Sequence, residues 1–181
     1  SAEAIFDTGL FDFEKAESHP MWAKELNGFE DHVPESEEYG VTSYTYRARR
    51  PFDPRAIHDV LNGELPGVIR AKGHFWVATR PEWLAEFSLA GSLSSVSPLG
   101  TWWASVPSER WPDNDALRAY LYQNWEEPWG DRRQELVCIG ADIDWPALQA
   151  RLDAALMPED VRLEDVDLDD PFPLWRPQDI Q

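Results

Sequence analysis

The sequence predicts one α+β domain, an antiparallel sheet with helices on one face, flanked by two acidic arms. Short stretches rich in β-branched and aromatic residues alternate with amphipathic stretches of helical spacing. The chain has 181 residues and is 43% hydrophobic, enough to form one buried core. Its formal charge of -18 is uneven, because residues 1–40 and 158–181 hold more than half of the 34 acidic residues.

The first predicted strand, 41–49, alternates strictly along the chain and ends at Pro51. Tyr44 and Tyr46 are expected on one face of this strand, and Arg47 and Arg49 on the other. The further predicted strands are 68–79 with a bulge at Gly73, 83–89, 93–96 and 135–143, and 101–106 is a candidate for another.

Helix-start signals predict three helices in the middle of the chain. Asp53 is expected to cap a helix with Pro54 at its first position, and Asp144 is expected to cap the last helix. A further helix is expected to start near Asp113. In the N-terminal arm, short helical stretches are predicted at 12–18 and 20–26.

The order strand, helix, strand, strand, inserted helix, strand, helix predicts a ferredoxin-like split β-α-β sandwich with an inserted helix. In such a fold the helices cover one face of the sheet and the other face stays open. We expect residues 1–40 to form a connector, 41–157 the domain and 158–181 an acidic tail. The acidic part of that tail is expected to be loosely attached, because it is highly charged and aperiodic.

Motifs for catalysis are absent from the sequence. It contains no phosphate-binding loop, no Gly-x-Gly-x-x-Gly and no Gly-x-Ser-x-Gly elbow. With one cysteine and four histidines, it has no motif for a closed zinc site, and Cys138 is expected to be a buried, inert thiol. The sequence therefore predicts that this chain is not itself an enzyme and carries no cofactor of its own.

Composition also narrows the partners and the compartment. The acidity argues against nucleic acid, and the lack of a run of 18 apolar residues argues against a membrane span. A single cysteine indicates a reducing compartment, so we expect the protein in the cytoplasm.

The candidate binding residues are cations. Arg47 and Arg49 share one face of the first strand, and Arg70 and Lys72 share a face of the second. If both faces belong to the open side of the sheet, four cations converge there. They either pair with acids of the arms or form a docking surface for an acidic partner or an anion. The full candidate set is Arg47, Arg49, Arg70, Lys72, His74, Arg132 and Arg133.

One weak metal candidate lies in the N-terminal arm. His32 is surrounded in the sequence by five carboxylates, at positions 30, 31, 35, 37 and 38. A solvated linker is the favoured interpretation, because a metal site needs ligands that are held in place by supporting contacts.

Three segments together resemble one known family. They are YTYRARRPF (44–52), GVIRAKGHFW (67–76) and GDRRQELVCIG (130–140). In order and spacing they resemble the C-terminal domain of the CobW-like GTPases, which are metal chaperones and cobalamin-synthesis proteins. The arm, with TGLFDF (8–13), Trp22 and Pro34-Glu35, is similar to the connector that leaves the family's GTPase domain.

The resemblance implies that this chain is the C-terminal portion of a longer protein. In the family, the N-terminal GTPase domain carries the phosphate loop and a Cys-x-Cys-Cys motif, and neither is found in this sequence. The parent would use GTP and Mg²⁺ to deliver zinc, or cobalt in the cobalamin branch. This domain would then be a non-catalytic interaction or regulatory module whose partners are its own GTPase domain and a metal-requiring client protein.

The alternative is a stand-alone protein that binds a small anion or a metal ion on the basic face of the sheet. It differs from the first hypothesis in requiring a ligand site within this chain, since no second domain would be needed for its function.

Overall fold

The computed structural model describes residues 40–180 and shows a five-stranded sheet in the order β1-β5-β2-β3-β4, with every neighbouring pair antiparallel. The elements are β1 (Val41–Ala48), α1 (Pro54–Asn62), β2 (Val68–Phe75), β3 (Trp83–Ala90), β4 (Leu93–Thr101), α2 (Asp115–Gln123), β5 (Gln134–Ala141) and α3 (Trp145–Ala154). Since β1 and β2 both run antiparallel to β5, they run parallel to each other with one strand between them. This confirms the α+β class and the split β-α-β unit.

The helix starts follow the capping signals of the sequence. The Asp53 carboxylate accepts a hydrogen bond from the Ala56 backbone N–H at 2.8 Å, and Asp144 accepts one from Ala147 at 3.0 Å. Each bond satisfies an amide that the first turn of a helix leaves unpaired. The inserted helix α2 is capped by Asn114, one residue after the predicted start.

The extended segments differ from prediction at the predicted bulge, at the end of β2, which stops at Phe75 and not at 79, and over 93–106. Gly73 is paired regularly with Phe87 and Leu136, and the irregularity of β2 lies between Val68 and Arg70 instead. Glycine is needed at 73 because a Cβ there would lie 2.0 Å from the backbone oxygen of Glu135. The candidate strand 101–106 is instead a short 3₁₀ turn, Trp103–Ser105, after a β4 that continues to Thr101.

The hydrophobic core lies between one sheet face, the core face, and helices α1 and α3. Each helix contributes an apolar stripe, and alternate residues of the inner strands meet it. The buried side chains of this layer include Tyr46, Ile57, Leu61, Ala71, Phe75, Phe87, Leu136, Leu148 and Leu152. Along β5 the alternation is strict, since buried and half-buried residues follow one another through all eight positions.

A C-terminal segment, residues 169–175, covers the rest of the core face, and we call it the strap. Asp170 forms a 2.7 Å ion pair with Arg80, and Asp169 pairs with Arg55. Phe172 and Trp175 are only 6% and 5% exposed. The expectation of a loosely attached acidic tail therefore does not hold for Asp169 and Asp170, because they immediately precede aromatic side chains that complete the core.

No helix between residues 40 and 180 combines the length and the hydropathy needed to cross a bilayer.

Candidate functional site

The sheet face opposite α1 and α3, here called the open face, carries a row of charged side chains. Strand register places Arg47 of β1 beside Glu135 of β5, then His74 of β2, then Glu86 of β3. Side chains directly opposite on neighbouring strands lie within contact distance. Four strands that are distant in sequence thus bring one continuous polar row together.

Glu135 is the centre of this row. Its carboxylate accepts hydrogen bonds from Arg47 at 3.0 Å and from Arg133 at 3.3 Å, and His74 Nε2 lies 3.9 Å away. Partial burial acts to raise the pKa of Glu135, but the two arginines outweigh it and hold the pKa below its ordinary value. Glu135 is therefore ionised at neutral pH and bound by two competing cations.

His74 is a neutral base at neutral pH. Burial, followed by the nearby Arg133 charge, lowers the pKa of His74 below its ordinary value. The ring packs edge-on against Trp102, with centroids 5.7 Å apart. The buried Nε2 atom has no hydrogen-bond partner among residues 40–180. A histidine held in this way can gain a hydrogen bond or a charge only if its surroundings rearrange.

The second row of the open face holds Lys72, which forms a 3.2 Å ion pair with Glu86. Arg70 is exposed in the next row, and no carboxylate within the described part of the chain lies in ion-pair distance of it. Beside these cations, Val137 and Ile139 of β5 are half-buried and form an apolar floor. This arrangement of apolar floor and exposed cations is suited to an acidic, partly apolar segment.

Two of the predicted site residues direct their hydrogen bonds to backbone oxygens of the surrounding loops. Arg49 donates to the backbone oxygens of Asn124, Gly130 and Arg132 and pairs with Glu126 at 3.0 Å. Arg132 donates to Pro81 and Trp129 backbone oxygens. The two side chains therefore fasten the insertion, residues 102–133, to the sheet.

A groove of about 460 Å³ runs between the insertion and the β1 end of the sheet. It is lined by Arg47, Ala48, Arg49, Asn124, Arg133, Gln134 and Glu135. The groove extends the charged row past the edge of the open face, so a bound segment could contact both Arg47 and the end of α2.

The pairing of cations with acids is mixed. On the open face Arg47, Arg133 and Lys72 pair with acids of the sheet itself, while Arg55 and Arg80 pair with the C-terminal tail. The sequence did not single out Arg80. The signal that could have found it is the spacing of Asp170, Phe172 and Trp175, an acid followed by two aromatics that need burial.

Residues 40–180 hold no cluster of three or more histidine, cysteine or acidic side chains able to bind a metal ion. The metal candidate His32 lies outside the described residues. Cys138 is buried, and burial raises the pKa of its thiol. This environment agrees with the expected inert cysteine, since a reactive thiol needs a stabilised thiolate.

A family model described as "Cobalamin synthesis protein cobW C-terminal domain" matches residues 41–156. This chain belongs to the CobW C-terminal domain family. The match covers all five strands and the three helices α1 to α3 and ends before the strap.

Curated relatives of this CobW C-terminal domain are described as zinc proteins. Zinc-regulated GTPase metalloprotein activator 1 of Dictyostelium discoideum is 45% identical over 141 residues, covering 76% of this chain and 29% of the relative. A zinc chaperone of Mycobacterium tuberculosis is 30% identical over 121 residues, covering 66% of this chain and 30% of the relative. The chain thus spans under a third of the length of the relatives it matches.

Among solved structures, the Zn(II)-bound YjiA GTPase from E. coli is similar at 15% identity with a TM-score of 0.44. The similarity covers 72% of this chain and 34% of that one.

Proposed function

We propose that this CobW C-terminal domain is the non-catalytic interaction module of a GTP-dependent metal chaperone, and that it docks partners on its open face. The observation that carries the proposal is the open face itself. It presents exposed cations over an apolar floor on a chain whose formal charge is -18. Such a face attracts acidic segments. The attraction acts at short range, although the net negative charge of the whole chain repels such segments.

The metal in this proposal is zinc. Support comes from the names of the two curated relatives, a zinc-regulated GTPase metalloprotein activator and a zinc chaperone. The family model also carries the cobalamin name, so cobalt delivery is the second possibility for the parent. The parent would hydrolyse GTP with Mg²⁺ in a domain that is not part of this sequence.

The partners proposed for the open face are the parent's own GTPase domain and a metal-requiring client protein. Either would be recognised through the exposed Arg70 and Lys72 side chains, with Ile139 between them and β1. The domain would act by holding the client beside the GTPase domain and would perform no reaction.

Catalysis gives the first test. We expect the purified 181-residue chain to hydrolyse no GTP above a buffer blank with Mg²⁺, with or without Zn²⁺. Measurable, protein-dependent turnover that survives repeated purification would contradict the proposal.

Thermal unfolding separates the proposal from a stand-alone ligand-binding protein. A ligand bound to the folded state raises the melting temperature by mass action. We expect no concentration-dependent rise with phosphate, sulfate, Zn²⁺, Co²⁺ or Ni²⁺ at concentrations up to the millimolar range. A saturable rise that Arg70→Glu and Lys72→Glu abolish would favour an anion site, and one that His74→Gln abolishes would favour a metal site.

A further inference from the structure

We infer that the strap is a releasable ligand of this domain. The groove beneath it, formed by Phe75, Thr79, Arg80 and Trp83, is then a second docking surface. The partner it fits is a protein segment with an acidic pair followed by two spaced aromatic residues. This inference concerns the core face, so it does not depend on the proposed function of the open face.

The groove recognises the strap mainly through side chains. Arg80 pairs with Asp170, donates to the backbone oxygens of Phe172 and Pro173 at 2.7 and 2.5 Å, and lies 4.6 Å from the centre of the Trp175 ring. Thr79 donates to the same Asp170 carboxylate at 2.5 Å. The Arg80 guanidinium therefore contacts a carboxylate, two carbonyl oxygens and an aromatic ring of the strap.

The aromatic side chains of the strap fill an apolar trough. Phe172 packs against Phe75 and His58, with ring centroids 6.0 and 5.5 Å apart, and Trp175 packs edge-on against Trp83 at 6.3 Å. Leu174, between them, is 73% exposed. The strap thus contacts the groove in the manner of a short linear motif, with anchors at positions two and five after the acid.

The strap does not pair with any strand of the sheet among the described residues. Its docking therefore lacks the cooperative ladder of backbone hydrogen bonds that holds the strands together. A segment held by a few side-chain anchors can open without unfolding the elements beneath it.

The linker to the strap, residues 158–168, allows such an opening. In the described part of the chain its hydrogen bonds are local, such as Val161 to Pro158 and Asp165 to Arg162, and no ion pair joins it to the sheet or helices. The residue before the linker is held in place, since the Met157 backbone N–H donates to the Pro51 backbone oxygen. The strap can therefore leave while α3 stays in place.

Two features show that the strap fits the groove incompletely. The buried Trp175 Nε1 has no hydrogen-bond partner within residues 40–180, which leaves a desolvated donor unpaired. An unfilled cavity of about 180 Å³ also remains beside Phe172, and Val96 of β4 borders it. The family match ends at residue 156, so the groove belongs to the matched domain and the strap lies beyond it.

Nicking the chain tests the inference without a deletion that could prevent folding. A specific protease site is introduced at 162–165, the intact protein is purified and folded, and it is then cleaved. We expect the C-terminal fragment to separate by gel filtration after dilution, while the body keeps its far-UV circular dichroism. A fluorescent peptide of residues 167–180 should then bind the body saturably.

Matched variants make the test specific. Phe172→Ala in the peptide or Arg80→Gln in the body should weaken binding about 30-fold or more, because each removes a central anchor. Leu174→Ala in the peptide should leave the affinity within about twofold, since that side chain faces solvent. A peptide with Asp169→Asn and Asp170→Asn should also bind more weakly, because these two acids pair with Arg55 and Arg80.

Three outcomes would overturn the inference. The nicked fragment could stay bound and fail to exchange with excess peptide, or the body could unfold as the fragment leaves. Either would make the strap an integral part of the core. If the uncut chain instead forms dimers by exchanging straps, as gel filtration with light scattering would show, the groove serves self-association and not a partner.

Discussion

The two faces of the sheet use similar residues for different purposes. Arg80 and Asp170 on the strap side form an ion pair in which the side chains are 15% and 14% exposed, supported by carbonyls and an indole ring. On the open face, the Arg47 side chain is 68% exposed and shares Glu135 with Arg133. Ion pairs are thus enclosed by packed side chains in one region and open to solvent in the other.

This difference explains why the positions of charged residues in the sequence did not separate the packed ion pairs from the exposed ones. Removing one partner of a buried pair is costly because the other is left desolvated, whereas release of the whole strap would return both partners to water. An exposed pair is screened and contributes about 0–1 kcal/mol, so a partner can replace it. We therefore expect substitutions on the core face to cost more stability than matched substitutions on the open face.

The largest effect should come from two neighbouring residues of β5 that point to opposite faces. Leu136→Ala should lower the free energy of unfolding by about 2–5 kcal/mol, because Leu136 is 2% exposed in the core. Val137→Ala, on the open face, should cost about 1 kcal/mol or less. Urea titrations of both variants measure the difference. Equal losses would mean that the open face is packed as tightly as the core face.

The next effect concerns the two arginines. Arg80→Ala should destabilise the chain by about 3 kcal/mol, since it leaves Asp170 buried without its cation. Arg47→Ala should cost at most about 1 kcal/mol. Denaturant midpoints in low and high salt test this, because only the Arg47 pair should weaken with added salt. A strong salt response of the Arg80 pair would contradict its buried role.

A smaller effect should appear as a pH dependence of stability. The pKa of His74 is lowered in the folded state, so the unfolded chain binds the proton more readily. Stability should therefore fall as pH drops through the ordinary histidine pKa and level off below the folded-state value. Comparison of the wild type with His74→Gln between pH 7.5 and 5 isolates this contribution, and parallel curves would show that His74 does not titrate as described.

The smallest effect on stability, but a large one on binding, is expected for Arg70→Glu with Lys72→Glu. Both side chains are exposed, so the unfolding free energy should change by about 0.5 kcal/mol or less per site. Binding to the parent's GTPase domain should weaken about tenfold or more, since like charges then face the partner. Arg151→Glu with Arg162→Glu, on α3 and in the linker to the strap, is a control of equal charge change, and an equal loss there would indicate a nonspecific charge effect.

The sequence predicted the elements whose causes are local. Alternation identified β1 and an apolar run identified β5, and the caps Asp53 and Asp144 were predicted because a cap acts on an amide three residues away. The same alternation placed Arg47 and Tyr46 on opposite faces of β1.

Contacts between distant residues could not be predicted in this way. Gln134 is fully buried and joins Arg50 and Trp76 through their backbone oxygens, across 84 and 58 residues. Its sequence position at the start of a strand gives no sign of that role. Arg49 and Arg132 were expected on the open face, but the carbonyls of the insertion hold them, and this depends on how the insertion folds back.

The most direct test of the central claim is an NMR titration of the ¹⁵N-labelled chain with the GTPase domain proposed for the parent. The account predicts that amide shifts concentrate on the rows of the open face around Lys72, Glu135 and Ile139, and that Arg70→Glu with Lys72→Glu abolishes them. Saturable binding whose shifts lie on α1, α3 and the strap, with the open face unchanged, would contradict it.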